Sequence, residues 1–276
     1  MIVRLLGTGT PIPSADRFGS AILVEADERL LLFDCGRGAT IRLHQVHASA
    51  VSGVQTVFLT HLHSDHVVGL PDLWLTGWAL GRLNPLLVSG PDGTPAMTMH
   101  LSQAYAADVI ARQDPAEGLL SRGAELHGQI VEPGVVYAEG AIRVIAFVVD
   151  HGHVAPAFGY RVEHAGRSVV ISGDTKFSES LIAASSGADL ILHAAWLPES
   201  RNPTPAALRS IASAEDAGRV FARLKPRLAV VYHYLDEAGL EAGVRRFYDG
   251  PFIVGHDRLV VELDDTIRWR DDGAPA

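Results

Sequence analysis

The sequence predicts an α/β domain whose sheets are covered by helices. Three observations carry this. Short runs of Val, Ile, Leu and Phe, bounded by Gly, Pro and Asp, recur through the 276 residues. Between them lie segments whose apolar residues recur near every 3.6 positions. The apolar fraction of 47% easily supplies a buried core. Many strands interleaved with helices fit sheets covered by helices better than an all-β barrel.

Taken in order, the first strand is Ile2–Leu6, which ends in Gly7-Thr8-Gly9-Thr10-Pro11. That turn is too short and too poor in glycine for a phosphate loop, and reads as a tight turn close to the site. Ala21–Glu25 and Leu30–Asp34 are the next strands, followed by a helix over Thr40–His47. Thr56–Leu59 is a strand, Leu70–Leu80 a helix, Leu86–Ser89 a strand and Thr94–Arg112 a long helix. Asp114–Gly123 reads as a loop. Strands over Ile142–Val149, Phe158–Glu163 and Ser168–Ser172 follow, then a helix over Ser178–Ser185 and a strand over Leu190–Ala194. The helix Ala214–Leu224 carries Val220, Phe221 and Leu224 at helical spacing. Leu228–Tyr232 is a strand, Leu240–Tyr248 a helix and Leu259–Leu263 the last strand, and the tail Asp271–Ala276 is expected to fray. No Ser/Gly-rich linker or low-complexity tract divides the chain, so one domain over 1–276 is expected.

The net charge of −9 argues against a polyphosphate backbone as the main partner, since such binding rests on clustered Lys and Arg. It leaves room for a small anionic substrate held by a metal. The single cysteine, Cys35, cannot form an internal disulfide, which is compatible with a reducing compartment. No apolar run of the signal-peptide or membrane-spanning kind is present, so a soluble cytoplasmic protein without a membrane partner is expected.

His61-Leu62-His63-Ser64-Asp65-His66 is the most informative segment. Three imidazoles and a carboxylate in six residues are the ligand types that zinc and similar ions prefer. Crowding them together is costly unless a cation offsets the loss of solvation. In an extended segment alternate residues point the same way, so His61 and His63 can reach one ion, while Asp65 and His66 follow where the chain turns into a helix. Further ligands are needed from elsewhere. Asp150-His151, Asp174 and His233 each follow an apolar strand, a placement that sets polar groups on loops held by a rigid scaffold. With His61, His63, Asp65, His66, His151, Asp174 and His233 there are enough ligands for two ions sharing a carboxylate.

These motifs carry a family resemblance. HxHxDH, then a lone His, Gly-Asp-Thr and a late His, resembles the metallo-β-lactamase fold superfamily. Gly7-Thr8-Gly9-Thr10-Pro11, Phe33-Asp34-Cys35-Gly36, Gly90-Pro91, Val149-Asp150-His151 through Phe158-Gly159-Tyr160-Arg161, and Ser172-Gly173-Asp174-Thr175 resemble its branch of ribonuclease Z and arylsulfatase-like hydrolases. The resemblance implies a four-layer αββα sandwich of two facing mixed sheets, with the site at one edge. It implies one ion on His61, His63 and His151, a second on Asp65, His66 and His233, and Asp174 between them. Zinc is the expected metal, with manganese or iron as alternatives. Two such ions about 3.5–4 Å apart share a water and lower its pKa, and the resulting hydroxide attacks a phosphorus, sulfur or carbonyl centre. Asp65 is expected both to ligate and to orient that hydroxide. Dimerisation is common in the branch, so a homodimer is an expectation by analogy.

Other residues carry two readings each. His153 competes with His151 as a ligand or faces the substrate. His193, at the position of a ribonuclease Z histidine that assists leaving-group protonation, is a general acid or a merely buried ring; the Glu that follows it in that family is Ala194 here. Asp34 holds a ligand imidazole or caps the next turn. Cys35 packs, or serves as a soft ligand. Trp74 and Trp78 are core rather than a substrate platform. His44, His47, His100, His127, His164 and His256 lack ligand-like neighbours.

Ribonuclease Z carries a long transfer-RNA-clasping arm between the lone His and Gly-Asp-Thr. Here Tyr160–Arg167 passes straight into the next strand, which argues against tRNA as a partner. The expected function is hydrolysis of a small phosphodiester or sulfate ester. A lactone or other carboxyl ester is the alternative substrate. A non-hydrolytic metal-binding or redox protein is the alternative of a different class, although di-iron relatives usually replace the residue at His63 by a carboxylate and need a flavin domain.

Overall fold

The computed structural model describes residues 1–114 and 117–272. The chain runs through β1 (Ile2–Gly7), β2 (Ala21–Ala26), β3 (Arg29–Phe33), α1 (Ala39–Val46), α2 (Ala50–Gly53), β4 (Thr56–Phe58), α3 (Ser64–Val67), α4 (Leu70–Ala79), β5 (Leu86–Gly90), α5 (Thr94–Ala104) and α6 (Ala106–Arg112). It continues with β6 (Leu126–Ile130), β7 (Gly134–Glu139), β8 (Ile142–His151), β9 (Val154–His164), β10 (Arg167–Ile171), α7 (Glu179–Ala184), β11 (Leu190–Ala194) and α8 (Pro205–Leu208). α9 (Ala214–Leu224), β12 (Leu228–Tyr232), α10 (Leu240–Arg245), β13 (Phe252–Val254), β14 (Leu259–Leu263) and β15 (Ile267–Asp271) complete it.

Two mixed sheets result. One has the order β15-β14-β1-β2-β3-β4-β5-β6 and the other β13-β12-β11-β10-β9-β8-β7. Period-two alternation decides what each side chain meets. On β12, Leu228, Val230 and Tyr232 enter the core between the sheets, whereas Ala229 and Val231 pack outward. Val3, Leu5, Ile22, Val24, Phe33 and Phe58 close that inner core from the other sheet. The outward face of the second sheet is covered by Leu181 of α7, Val220 and Phe221 of α9 and Val244 of α10. The outward face of the first is covered by Leu43 of α1, Val51 of α2 and Leu73 and Trp74 of α4. The layers are therefore helix, sheet, sheet, helix, as expected.

The central strands fall where the apolar runs predict them. Four strands lack such a run. β6, β7, β13 and β15 lie at the sheet edges, with mostly exposed or half-buried residues. Edge strands need no continuous apolar pattern. The long helix predicted over Thr94–Arg112 is divided at Tyr105, whose backbone leaves helical geometry and whose ring lies edge-on to Trp74. Residues 115 and 116 of the predicted loop and 273–276 of the predicted frayed tail lie outside the described residues. Among the described residues no helix is long and apolar enough to cross a membrane.

Candidate metal centre

Strand ends of both sheets deliver the site. β4 stops at Phe58, and Thr60 O then accepts a bond from Phe158 N (2.8 Å), tying one sheet to the other just below His61. His63 is still extended and α3 begins at Ser64. This change of geometry sends Asp65 and His66 to a different place from His61 and His63. His151 is the last residue of β8, Asp174 stands three residues beyond β10, and His233 follows β12 directly. His233 has a φ of 55°, a left-handed conformation uncommon outside glycine and concentrated at functional sites.

The seven predicted residues converge in two groups. His61, His63, His151 and Asp174 form one, and Asp65, His66 and His233 the other. In the first, His61 Nε2 lies 2.9 Å and His151 Nε2 lies 3.4 Å from His63 Nδ1. In the second, Asp65 Oδ2 lies 3.6 Å from His233 Nε2 and 3.7 Å from His66 Nε2. Asp174 reaches both. Its Oδ2 is 3.2 Å from His233 Nε2, 3.9 Å from His151 Nε2 and 4.0 Å from His61 Nε2, and its Oδ1 is 3.7 Å from His66 Nε2.

This donor set fits metal ions. Ligand atoms bonded at about 2.0–2.1 Å in a tetrahedron lie roughly 3.3 Å apart, and the separations here, from 2.9 to 4.0 Å, bracket that value. His66 Nε2 and Asp174 Oδ1 are buried without a hydrogen-bond partner, an arrangement costing about 1–3 kcal/mol per group unless something else satisfies them. The ring tautomers point the same way. His151 Nδ1 lies 2.6 Å from Ser210 O, and His233 Nδ1 lies 2.8 Å from Gly9 O. A carbonyl only accepts, so Nδ1 carries the proton and each Nε2 turns a lone pair into the site. Burial would raise the Asp174 carboxyl, but the imidazoles of His233, His66 and His61 outweigh it and hold it well below the usual carboxylate range.

Solved structures of the same shape include YhfI from Bacillus subtilis, titled a metallo-β-lactamase fold protein. It superposes with a TM-score of 0.75 at 17% identity, over 94% of this chain and 98% of its own. A diphosphatase of the PhnP family matches with a TM-score of 0.70 at 18% identity, over 95% of this chain and 98% of its own. Ribonuclease Z of Mycobacterium sp. (strain KMS) is 35% identical over 241 residues, which is 84% of each chain. Residues 1–239 match the family described as anti-Pycsar protein Apyc1. The chain belongs to that family. It is a hydrolase of the metallo-β-lactamase fold, related to ribonuclease Z as its motifs predict.

In this Apyc1-family chain Asp34 does more than cap a turn. Its Oδ2 lies 2.7 Å from His66 Nδ1, and its Oδ1 accepts from Thr60 N at 2.8 Å. Burial opposes a charge on His66, and Asp34, Asp174 and Asp65 together outweigh it, raising the ring to about 9. Asp34 has a φ of 57°, which asparagine also tolerates. Asp34→Asn therefore keeps the backbone while weakening the hold on His66. Metal affinity, followed by chelator competition, is expected to fall about 10–100-fold.

His193 is set apart from both groups. It shares the parity of Ile191 on β11 and therefore faces the helices, where Phe221 lies edge-on at 5.9 Å. Its Nδ1 lies 2.6 Å from Ala194 O and its Nε2 is buried without a partner. Burial lowers it to about 4. An unfolded histidine titrates near 6.5, so from pH 6.5 down to 4 the unfolded chain binds the extra proton and stability falls, by about 3 kcal/mol in all. In chelator, denaturant unfolding at pH 7.5 and 4.5 is expected to show a smaller acid loss for His193→Gln than for the wild type.

The other candidates sort plainly. His153 is exposed in the turn between β8 and β9, outside both groups. Cys35 is fully buried in the core outside the first sheet, and burial raises its thiol, so it packs. Trp74 and Trp78 are buried and donate to Ala124 O and Leu120 O, as core residues. Sequence reasoning missed Asp257. Its Oδ1 accepts from Thr8 N and Thr8 Oγ1, and its Oδ2 from Phe18 N, which fixes the loop that carries Gly9. Its only sequence signal is a carboxylate just before a predicted strand, which is no signal at all.

A cleft of about 190 Å³ opens over the two groups. It is lined by His63, Asp65, His151, Asp174 and His233 together with Pro11, Trp196 and Ile211.

Proposed function

We propose that this chain is a dinuclear-metal-dependent hydrolase of small phosphodiesters. The observation that carries the reading is Asp174, one carboxylate set between two facing groups of ligands. His61, His63 and His151 would hold one divalent ion, Asp65, His66 and His233 the other, and zinc is the metal best suited to imidazole with carboxylate. When bound, such a pair supplies Lewis acidity and a water of near-neutral pKa. The chain's own part is positional. Asp34, Ser210 O and Gly9 O fix three rings in one tautomer. Asp65 lines the cleft and would, besides ligating, orient the attacking water. His61, Asp65, His66, Asp174 and His233 are buried, which strengthens the charge interactions among them.

A phosphodiester is favoured by the company the chain keeps: a relative named ribonuclease and a neighbour titled a diphosphatase. Cleavage of RNA itself is the second reading, favoured by the 35% identity to ribonuclease Z. The hairpin between β9 and β10 is only two residues long, and the net charge of −9 lends no support to a nucleic-acid clasp, so the small ester is preferred. Sulfate esters and lactones are the remaining substrates of the same reaction class. The lone buried Cys35 suits a reducing cytoplasm.

Zinc-loaded protein is expected to turn over bis(nitrophenyl) phosphate, to lose that activity to a chelator and to regain it with zinc. Nitrophenyl sulfate, a lactone panel and a precursor tRNA complete the assay. Silence on both the diester and the sulfate overturns the proposal. Cleavage of the tRNA alone transfers it to the second reading.

A further inference from the structure

The left-handed backbone of His233, with its φ of 55°, persists only where the surroundings hold it. Two neighbours do so. Gly9 O accepts from the ring at Nδ1, 2.8 Å away. Arg17 takes the next two carbonyls, its Nη1 donating to Tyr234 O at 2.8 Å and its Nη2 to Leu235 O at 3.0 Å. Gly9 and Arg17 stand on two stretches of the connection between β1 and β2. One stretch fixes the ring of His233 and the other fixes the chain that follows it.

A single carboxylate fastens both stretches. Asp257 Oδ1 accepts from Thr8 N (2.8 Å) and Thr8 Oγ1 (2.9 Å), next to Gly9. Its Oδ2 accepts from Phe18 N (2.8 Å), next to Arg17, and from Arg42 Nη2 of α1 (3.1 Å). The two stretches also meet backbone to backbone. Gly9 N donates to Phe18 O at 2.7 Å, and a Cβ at Gly7 would lie 1.9 Å from Gly19 O. Asp257 is buried and anchored to both sheets on either side of itself: Gly255 N donates to Val231 O of β12 (2.8 Å) and Arg258 N to Leu5 O of β1 (2.7 Å). It lies beyond residues 1–239, which match the family, so its part is read from this chain's own contacts.

We infer that Asp257 is a positioning residue of the metal centre, clamping the Thr8 and Phe18 stretches so that Gly9 and Arg17 together aim His233 Nε2 at the group of Asp65 and His66. This rests on the reading of two ligand groups, and it divides them. Among the described residues none of the partners of Asp257 hydrogen-bonds to His61, His63 or His151. The ring of His151 is held instead by Ser210 O. The ion on Asp65, His66 and His233 therefore depends on Asp257, and the ion on His61, His63 and His151 does not.

Asp257→Asn keeps the shape of the side chain but turns an amide NH2 towards donors on one side, where it cannot accept. Nuclear magnetic resonance of zinc-loaded protein carrying isotope-labelled histidine reads the Nδ1 proton of each ring without turnover. In this variant the His233 proton is expected to exchange with water at least about tenfold faster, as local opening becomes easier. The His151 proton is the internal control and is expected to stay as in the wild type, whereas a general loosening of the fold moves both. Chelator competition is expected to show one zinc ion held about 10–100-fold more weakly and the other unchanged. Thr8→Val removes the hydroxyl bond alone. It is expected to give the same asymmetry at smaller size, and it replaces the asparagine variant should that one fail to fold. Both rings disturbed alike, both ions weakened alike, or neither ring moved overturns the inference. One-sided loss without turnover of any ester leaves the clamp standing and removes the proposed reaction. Diester turnover by a variant whose two rings are unchanged does the reverse.

Discussion

Asp174→Ala is expected to lower ester turnover about a thousandfold or more, the rate equivalent of roughly 4 kcal/mol of lost transition-state stabilisation. Among the described residues Asp174 is the carboxylate within 4 Å of rings of both groups, at 3.2 Å from His233 and 3.7 Å from His66 on one side and 3.9 Å from His151 on the other. Without it, five imidazoles are left with Asp65 among them and Asp34 behind His66 to balance any cation. Elemental analysis of the purified variant is expected to show fewer than two ions per chain. Turnover within tenfold of the wild type, with full metal content, would sink the two-group reading of this site.

A large effect on stability is expected at a residue that touches no metal. A Cβ at Gly36 would lie 2.3 Å from Asp65 O, 2.5 Å from Gly19 C and 2.7 Å from Ser20 N. All three are backbone atoms, so no side chain can swing aside. Gly36→Ala is expected to destabilise the protein by about 3 kcal/mol or more, at the upper end of overpacking costs. For a chain of this size that lowers the melting temperature by roughly 10 °C. The push falls on Asp65, so metal content is expected to drop as well. Scanning calorimetry with metal analysis of the same sample checks both, and a variant with wild-type melting and full metal would show that the loops can part.

What the sequence made legible follows from burial. Strands such as β10 and β12 are covered on both faces, so their apolar runs are unbroken and the polar residue that ends each run stands out. Asp174 and His233 are visible for that reason, and the six-residue histidine segment for its density. β7 and β15 lie at edges, where the same pattern is not required. Contacts that fix the ligands were harder to see. Asp34 is 32 residues from the ring it holds, and its chemistry suited a turn cap equally well. Gly9 and Ser210 act through carbonyl oxygens, which any residue possesses, so they leave no trace in the choice of side chain. Parity along β11, visible only once both faces of the sheet are assigned, sends His193 towards Phe221.

The stretch Ser210-Ile211-Ala212 joins two duties in three residues: it grips His151 and Thr175, and through Ser210 and Ile211 it lines the cleft. Appetite for one compound or another is then not freely adjustable. A change here that widens the mouth also loosens a ring that grasps the ion, so drift towards new chemistry would be taxed by poorer retention of metal. Pro11 is bound by the same constraint, since it stands two residues from Gly9, whose carbonyl holds His233.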